Sequence, residues 1–240
     1  MVGVMVVSLV ITACSANKHL HHIQSDKNSN INPDFDLIHA KVTHENGYLV
    51  FQQEVSGRAG GTKPKSQGAL AGAEVYSYVW PTNLNTSAVG FAEKEGILAL
   101  ALTVHPDFDD TPLYDENGDG NLKNDGDNWH SHWVVLVKDQ KCGIDGLKVK
   151  DIPTGEKPKL PPTWPELPLF IDSPGYDFNL EESQILVKVP VDKIIGNLDF
   201  NFDSVTSALK INEQVHAPLL CIADVWDISS GDLSLPGKVN

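Results

Sequence analysis

The chain has 240 residues, with 18 Lys and Arg against 32 Asp and Glu and a formal net charge of -14. That balance disfavours nucleic acid and anionic lipid as partners and favours cations, and no basic patch interleaved with aromatics offsets it. Hydrophobic residues make up 41% of the chain, enough for a packed core, and no linker argues for two domains.

At the amino terminus, residues 6–11 form an apolar run too short to span a bilayer. The string Ile11-Thr12-Ala13-Cys14 that ends it resembles the lipobox of bacterial lipoproteins. The resemblance implies that residues 1–13 are a signal peptide and that Cys14 is lipidated. With Ser15 following, it implies an outer-membrane lipoprotein of the bacterial cell envelope, facing periplasm or cell surface and touching the membrane through its lipid alone. Residues 14–35 are rich in His, Asn, Ser, Lys and Asp without apolar periodicity, which predicts a flexible tether. An exported protein sits where thiols oxidise. Once Cys14 carries lipid, Cys142 and Cys221 remain as an even pair, read either as a disulfide or as two separate buried thiols.

Strand signals dominate residues 36–240: 37–43, 47–55, 73–80, 96–104, 129–138, 147–151, 184–189, 198–202 and 218–228. Asn46-Gly47 supplies the positive φ of a tight hairpin turn between the first two. Only 191–195 and 204–209 invite short helices. The sum is an all-β chain, a single antiparallel β-sandwich of jelly-roll or Ig-like type with long loops. Glycines 57, 60, 61, 68 and 72 predict a mobile loop after Val55. Seven of the 15 prolines fall between Pro153 and Pro174, which predicts a stiff extended excursion pinned by Trp164.

The chemistry concentrates in residues 105–133. Asp115, Asn117, Asp119 and Asn121 alternate oxygen-bearing side chains, and Gly120 stands at the sixth position, where the turn must be sharp. This resembles the first half of an EF-hand calcium loop, in which every second side chain points at one hard cation. The twelfth position is Gly126 in place of a bidentate Glu, so the closing carboxylate falls to Asp125, Asp127, Asp109 or Asp110. No helical pattern flanks the loop, so the resemblance implies a Ca2+ site and not an EF-hand domain. The competing reading is an acidic surface turn.

Directly afterwards comes Trp129-His130-Ser131-His132-Trp133, leading into a β-branched run. On a strand, His130 and His132 share a face with Val134 and Leu136, while Trp129, Ser131 and Trp133 face the other way. Two imidazoles side by side suit Zn2+ or another transition metal, with His105, Asp107, Asp109 and Asp110 as the nearest completing ligands and His216 and His44 farther off. They equally suit hydrogen bonds to carboxylates at the rim of a core. The HxHW string is similar to the zinc-binding strand of α-carbonic anhydrases, but no histidine follows between Trp133 and Val215. Cupins share HxH but not the Glu that follows it, and neither family is adopted.

No G-x-S-x-G elbow, C-x-x-C or haem-attachment motif occurs. Two functions compete: a calcium-stabilised binding or structural lipoprotein that recognises a glycan, peptide or protein, and a His-ligated metal-dependent hydrolase or envelope metal-binding protein.

Overall fold

A computed structural model of the chain describes residues 21–66, 71–106, 127–143, 146–214 and 217–240. Residues 1–13, Cys14, Asp107, Asp109, Asp110, Asp115, Asn117, Asp119, Asn121, Asp125 and His216 lie outside the described residues. Strands follow in the order β1 (His22–Gln24), β2 (Leu37–Glu45), β3 (Tyr48–Val55), β4 (Glu74–Pro81), β5 (Ile97–Val104), β6 (His130–Lys138) and β7 (Leu147–Val149). Then come β8 (Ile171–Asp172), β9 (Phe178–Glu181), β10 (Gln184–Pro190), β11 (Asn201–Phe202), β12 (Val205–Ile211), β13 (Leu220–Ile228) and β14 (Gly237–Lys238).

The all-β, antiparallel expectation holds, but the layers differ from two open sheets. One sheet has five strands in the order β1-β2-β3-β10-β9. The other runs β5-β4-β12-β13-β7-β6-β8, and β5 also pairs with β6 from Ile97↔Leu136 to Thr103↔His130. That extra ladder closes β4, β5, β6, β7, β13 and β12 into a six-stranded barrel. Closure removes the exposed edges that β5 and β6 would otherwise present.

Strand alternation then sorts side chains into two cores. Tyr78, Trp80, Leu98, Leu100, Leu102, Trp133 and Val135 leave the barrel outward and meet the five-stranded sheet, where Leu49, Phe51, Ile185 and Val187 are fully buried. The Phe51 ring lies 5.9 Å from both Trp80 and Trp133, edge to face in each case, an arrangement aromatic quadrupoles favour. Gln53 Nε2 donates across the layers to Val79 O at 2.9 Å. Facing the other way, Val75, Val79, Ala99, Ala101, Val134, Leu136, Val205 and Leu209 form a second cluster inside the barrel.

The hairpin between β2 and β3 turns through Asn46 (φ 52°) and Gly47 (φ 82°), the two positive values its sequence predicts. Residues 204–209, expected as a helix, instead belong to β12, a central barrel strand paired with both β4 and β13. Burial on both faces and two hydrogen-bonded neighbours outweigh any local helical preference there. Within the expected tether, β1 pairs with β2 and buries Ile23, while Phe35 is buried against Trp226 and Tyr78. The chain is therefore held from His22 onward and not from residue 36. Residues 58–62 of the loop after Val55 are tied down: Asp34 accepts from Arg58 N–H at 2.9 Å and Thr62 Oγ1 at 2.6 Å, and Gly60 N–H donates to the Tyr78 hydroxyl at 2.9 Å, while Gly68 lies outside the described residues. Trp164 pins the proline-rich excursion as expected, donating to Leu167 O at 2.8 Å.

The weakest joint of the barrel lies between β7 and β13. β7 has three residues against nine in each of β6 and β13, and only Cys221↔Lys148 pairs it with β13. The Cys142–Cys221 disulfide sits at that same joint, with Cα atoms 5.5 Å apart and 79 residues of separation. Leu219 N–H donating to Asp151 Oδ1 at 3.2 Å adds a polar link nearby. Replacing both cysteines by Ser is expected to cost about 4 kcal/mol by the loop-entropy relation, lowering Tm by roughly 10 °C. Calorimetry on the two forms checks this, with amide exchange rising first at Leu220–Ile222.

Candidate functional site

The barrel is not filled. Its interior encloses a cavity of about 160 Å³, walled by Val75, Val79, Ala101, Val134, Leu136, Val205 and other aliphatic side chains. Pro165, Leu167 and Leu169 of the proline-rich excursion complete one wall. Among the described residues no Asp, Glu, Lys or Arg lines it.

Register dictates where polarity enters this space. Ala101 pairs with His132 and Val79, and Val79 with Val205, which makes one row around the wall. The adjacent row is His130, Thr103, Ser77, Ser207 and Val225 by the same ladders. The row beyond it contains Val75, Leu209 and Ile222. A band of hydroxyls and imidazole thus crosses an otherwise aliphatic tube. Ser77 Oγ lies 2.9 Å from Ser207 Oγ and donates to Ser207 O at 3.0 Å. Thr103 Oγ1 is 3.2 Å from His130 Nε2.

Three of the expected site histidines come together at one end of the band. The His105 and His130 rings are 5.1 Å apart and those of His130 and His132 4.7 Å, both nearly perpendicular. His130 Nδ1 lies 2.9 Å from Asn128 O and His105 Nδ1 lies 3.1 Å from Pro106 O. A carbonyl only accepts, so each Nδ1 carries the proton and each Nε2 the lone pair. Thr103 Oγ1 is accordingly the donor to His130 Nε2. His132 Nδ1 is 2.9 Å from Ser173 Oγ. His132 is buried and lines the cavity together with His105.

Asp107 and Asp109, the carboxylates expected as histidine partners, lie outside the described residues. Asp172 pairs with Trp133 and shares its face, on the side of β6 away from His132. Its Oδ1 accepts from Thr163 Oγ1 at 2.6 Å. His44 lies on β2 opposite Leu49, in the other sheet. Among the described residues no group of three or more His, Cys, Asp and Glu side chains is placed to hold a metal ion. Of the calcium-loop residues only Asp127 is described, and its N–H donates to His105 O at 2.9 Å. That bond ties the two ends of the acidic excursion together beside the histidines.

The cavity reaches solvent near β13. Val225 and Leu233 both line it and are 45% and 38% exposed. Leu233 and Leu235 hold φ of 57° and 53°, uncommon for bulky side chains. Buried Asp203 stabilises that turn, accepting from Ser204 N–H at 2.8 Å, from the Ser230 hydroxyl, and from Leu235 N–H at 3.4 Å. Sequence inspection picks out the histidines but passes over Ser77, Thr103, Ser173 and Ser207. The signal for Ser77 and Ser207 is a small polar residue at the middle inward position of Val75-x-Ser77-x-Val79 and Val205-x-Ser207-x-Leu209. It emerges only when 205–211 is read as a strand.

No protein-family model, no curated protein and no solved structure matches the chain.

Burial, and then the nearby His105, pull the His132 imidazole from its ordinary 6.5 down to about 3, against a hydrogen bond to the Asp172 backbone. The unfolded chain therefore takes this proton first, and stability is lost as pH falls from 6.5 toward 3. Asp172 acts oppositely: burial pushes its carboxyl up to about 6, so its contribution fades as pH rises through that value. His132→Leu is expected to shrink the stability difference between about pH 7 and pH 4 by up to roughly 3 kcal/mol. Urea unfolding at the two pH values reads it directly, and an unchanged difference overturns the assignment.

Proposed function

We propose that this protein is an envelope-anchored binding protein whose barrel interior takes a small apolar molecule. The observation that carries the reading is the largely aliphatic cavity of about 160 Å³ inside the barrel, open to solvent beside exposed Val225 and Leu233. Enclosure and a preformed apolar wall are what small-molecule sites share, and an aliphatic cavity of about 150 Å³ is large enough for benzene. Such a wall suits an apolar ligand better than the glycan, peptide or protein that the sequence alone suggests. The reading keeps Cys14 as the lipid anchor and residues 115–127 as a Ca2+ loop. Its architecture is taken as a β-sandwich in which one layer has curled shut.

Toluene is a suitable first probe. Saturable binding by calorimetry or ligand-observed NMR is expected for the native protein. Ala101→Phe, which drives a ring into the lumen from the row shared with Val79 and His132, is expected to abolish it with the far-UV spectrum unchanged. Absence of saturable binding to the native protein rules the reading out.

A second reading, a His-ligated zinc hydrolase, is favoured by one feature: the Nδ1–H groups of His105 and His130 are directed to backbone carbonyls, as in metal-ligating histidines. Elemental analysis of protein purified without added metal separates the two. Calcium that disappears in Asp115→Asn with Asp119→Asn, and no stoichiometric zinc, is the expected result. Stoichiometric zinc lost in His130→Ala with His132→Ala moves the assignment to the hydrolase.

A further inference from the structure

We propose that the lumen selects a small uncharged molecule bearing a single hydrogen-bonding oxygen, which the band formed by His132, Thr103, Ser77 and Ser207 receives while the rest of the ligand meets aliphatic wall. This rests on the reading of the lumen as a binding site and specifies its ligand.

Three observations carry it. A cavity needing only shape is lined by apolar groups throughout, yet here Thr103, Ser77 and Ser207 of one row across β5, β4 and β12 line it, with His132 beside them in the next row among Ala101, Val79 and Val205. Burying hydroxyls and imidazoles costs free energy unless they are hydrogen-bonded. The Ser77–Ser207 and Thr103–His130 contacts meet that need while leaving each hydroxyl oxygen able to accept once more.

Second, His132 has one ring nitrogen 2.9 Å from Ser173 Oγ and is only 5% exposed, yet the residue lines the cavity. Its imidazole adds a second kind of polar group to the wall, next to the hydroxyls of Thr103, Ser77 and Ser207.

Third, among the described residues the cavity has no Asp, Glu, Lys or Arg in its wall. A formal charge on the ligand meets no fixed countercharge there, and an unpaired buried charge is far costlier than an unpaired dipole. The volume sets the size at about six to ten non-hydrogen atoms, taking benzene as the yardstick for about 150 Å³. A phenol or a short alcohol, whose hydroxyl can donate to these oxygens, meets all these limits. An acyl chain of membrane length does not.

The test uses three probes of nearly one shape at pH 7: toluene, p-cresol and the p-toluate anion. Calorimetry on the native protein is expected to give p-cresol about tenfold tighter than toluene, one hydrogen bond's difference, with p-toluate weakest. Thr103→Val and Ser77→Ala, two small changes on different strands, are expected to bring p-cresol toward the toluene value and leave toluene unchanged. In the native protein, p-cresol but not toluene is expected to move the His132 imidazole nitrogen resonances.

Equal affinity for toluene and p-cresol, both saturable, overturns the polar-band proposal and leaves the lumen as a purely apolar site. Tightest binding of p-toluate overturns it in favour of an anion site. Failure of all three probes to bind overturns the lumen reading itself and this proposal with it.

Discussion

The ladder between β5 and β6 is the constraint on which the rest depends. Seven paired positions from Ile97↔Leu136 to Thr103↔His130 turn an open sheet into a tube. Without them Val75, Ser77, Val79, Ala101 and His132 lie on the face of an open sheet. With them, the same residues enclose a space. Gly96 shows how close the approach is, because a Cβ there stands 2.5 Å from Leu136 O and 2.8 Å from Val135 Cγ1. The position just before β5 has no room for a side chain, since β6 occupies its place.

Closure also explains how one short sequence period serves two cores. Along β4, Val75, Ser77 and Val79 point into the tube while Tyr76, Tyr78 and Trp80 point to the five-stranded sheet. Large aromatics lie between the layers, where flat surfaces meet and rings pack edge to face. Small and branched residues lie inside, where curvature leaves less room. The cavity remains because valine, alanine and serine at these inward positions fall short of filling the barrel. Larger side chains at these positions fill such a void and commonly gain stability, and the proposed ligand depends on its staying open.

Much of this was legible in the residues, for identifiable reasons. Strand content, the Asn46-Gly47 turn and the shared face of His130 and His132 follow from local chemistry and a period of two. The Cys142–Cys221 bridge is one of the two readings that the cysteine positions allowed. Closure was not legible, because no local pattern distinguishes a strand paired on one side from one paired on both. β12 was misread for the same reason: Val205 to Leu209 shows its strand character only between β4 and β13. The histidines drew attention by their type, whereas Ser77 and Ser207 matter through register across three strands, 130 residues apart in the chain. Ile23 and Phe35 escaped because an isolated apolar residue in polar surroundings carries no periodic signal, yet each finds a prepared place on a neighbouring element.

The bond from Asp127 N–H to His105 O has a consequence for how the molecule accommodates change. It fastens the acidic excursion at its base, so the incoming end of β5 and the outgoing start of β6 are set relative to each other whatever lies between them. Length and composition of that insert are thereby uncoupled from strand register, much as a cassette is uncoupled from the frame that holds it. The chain carries its most acidic segment between these two joined ends.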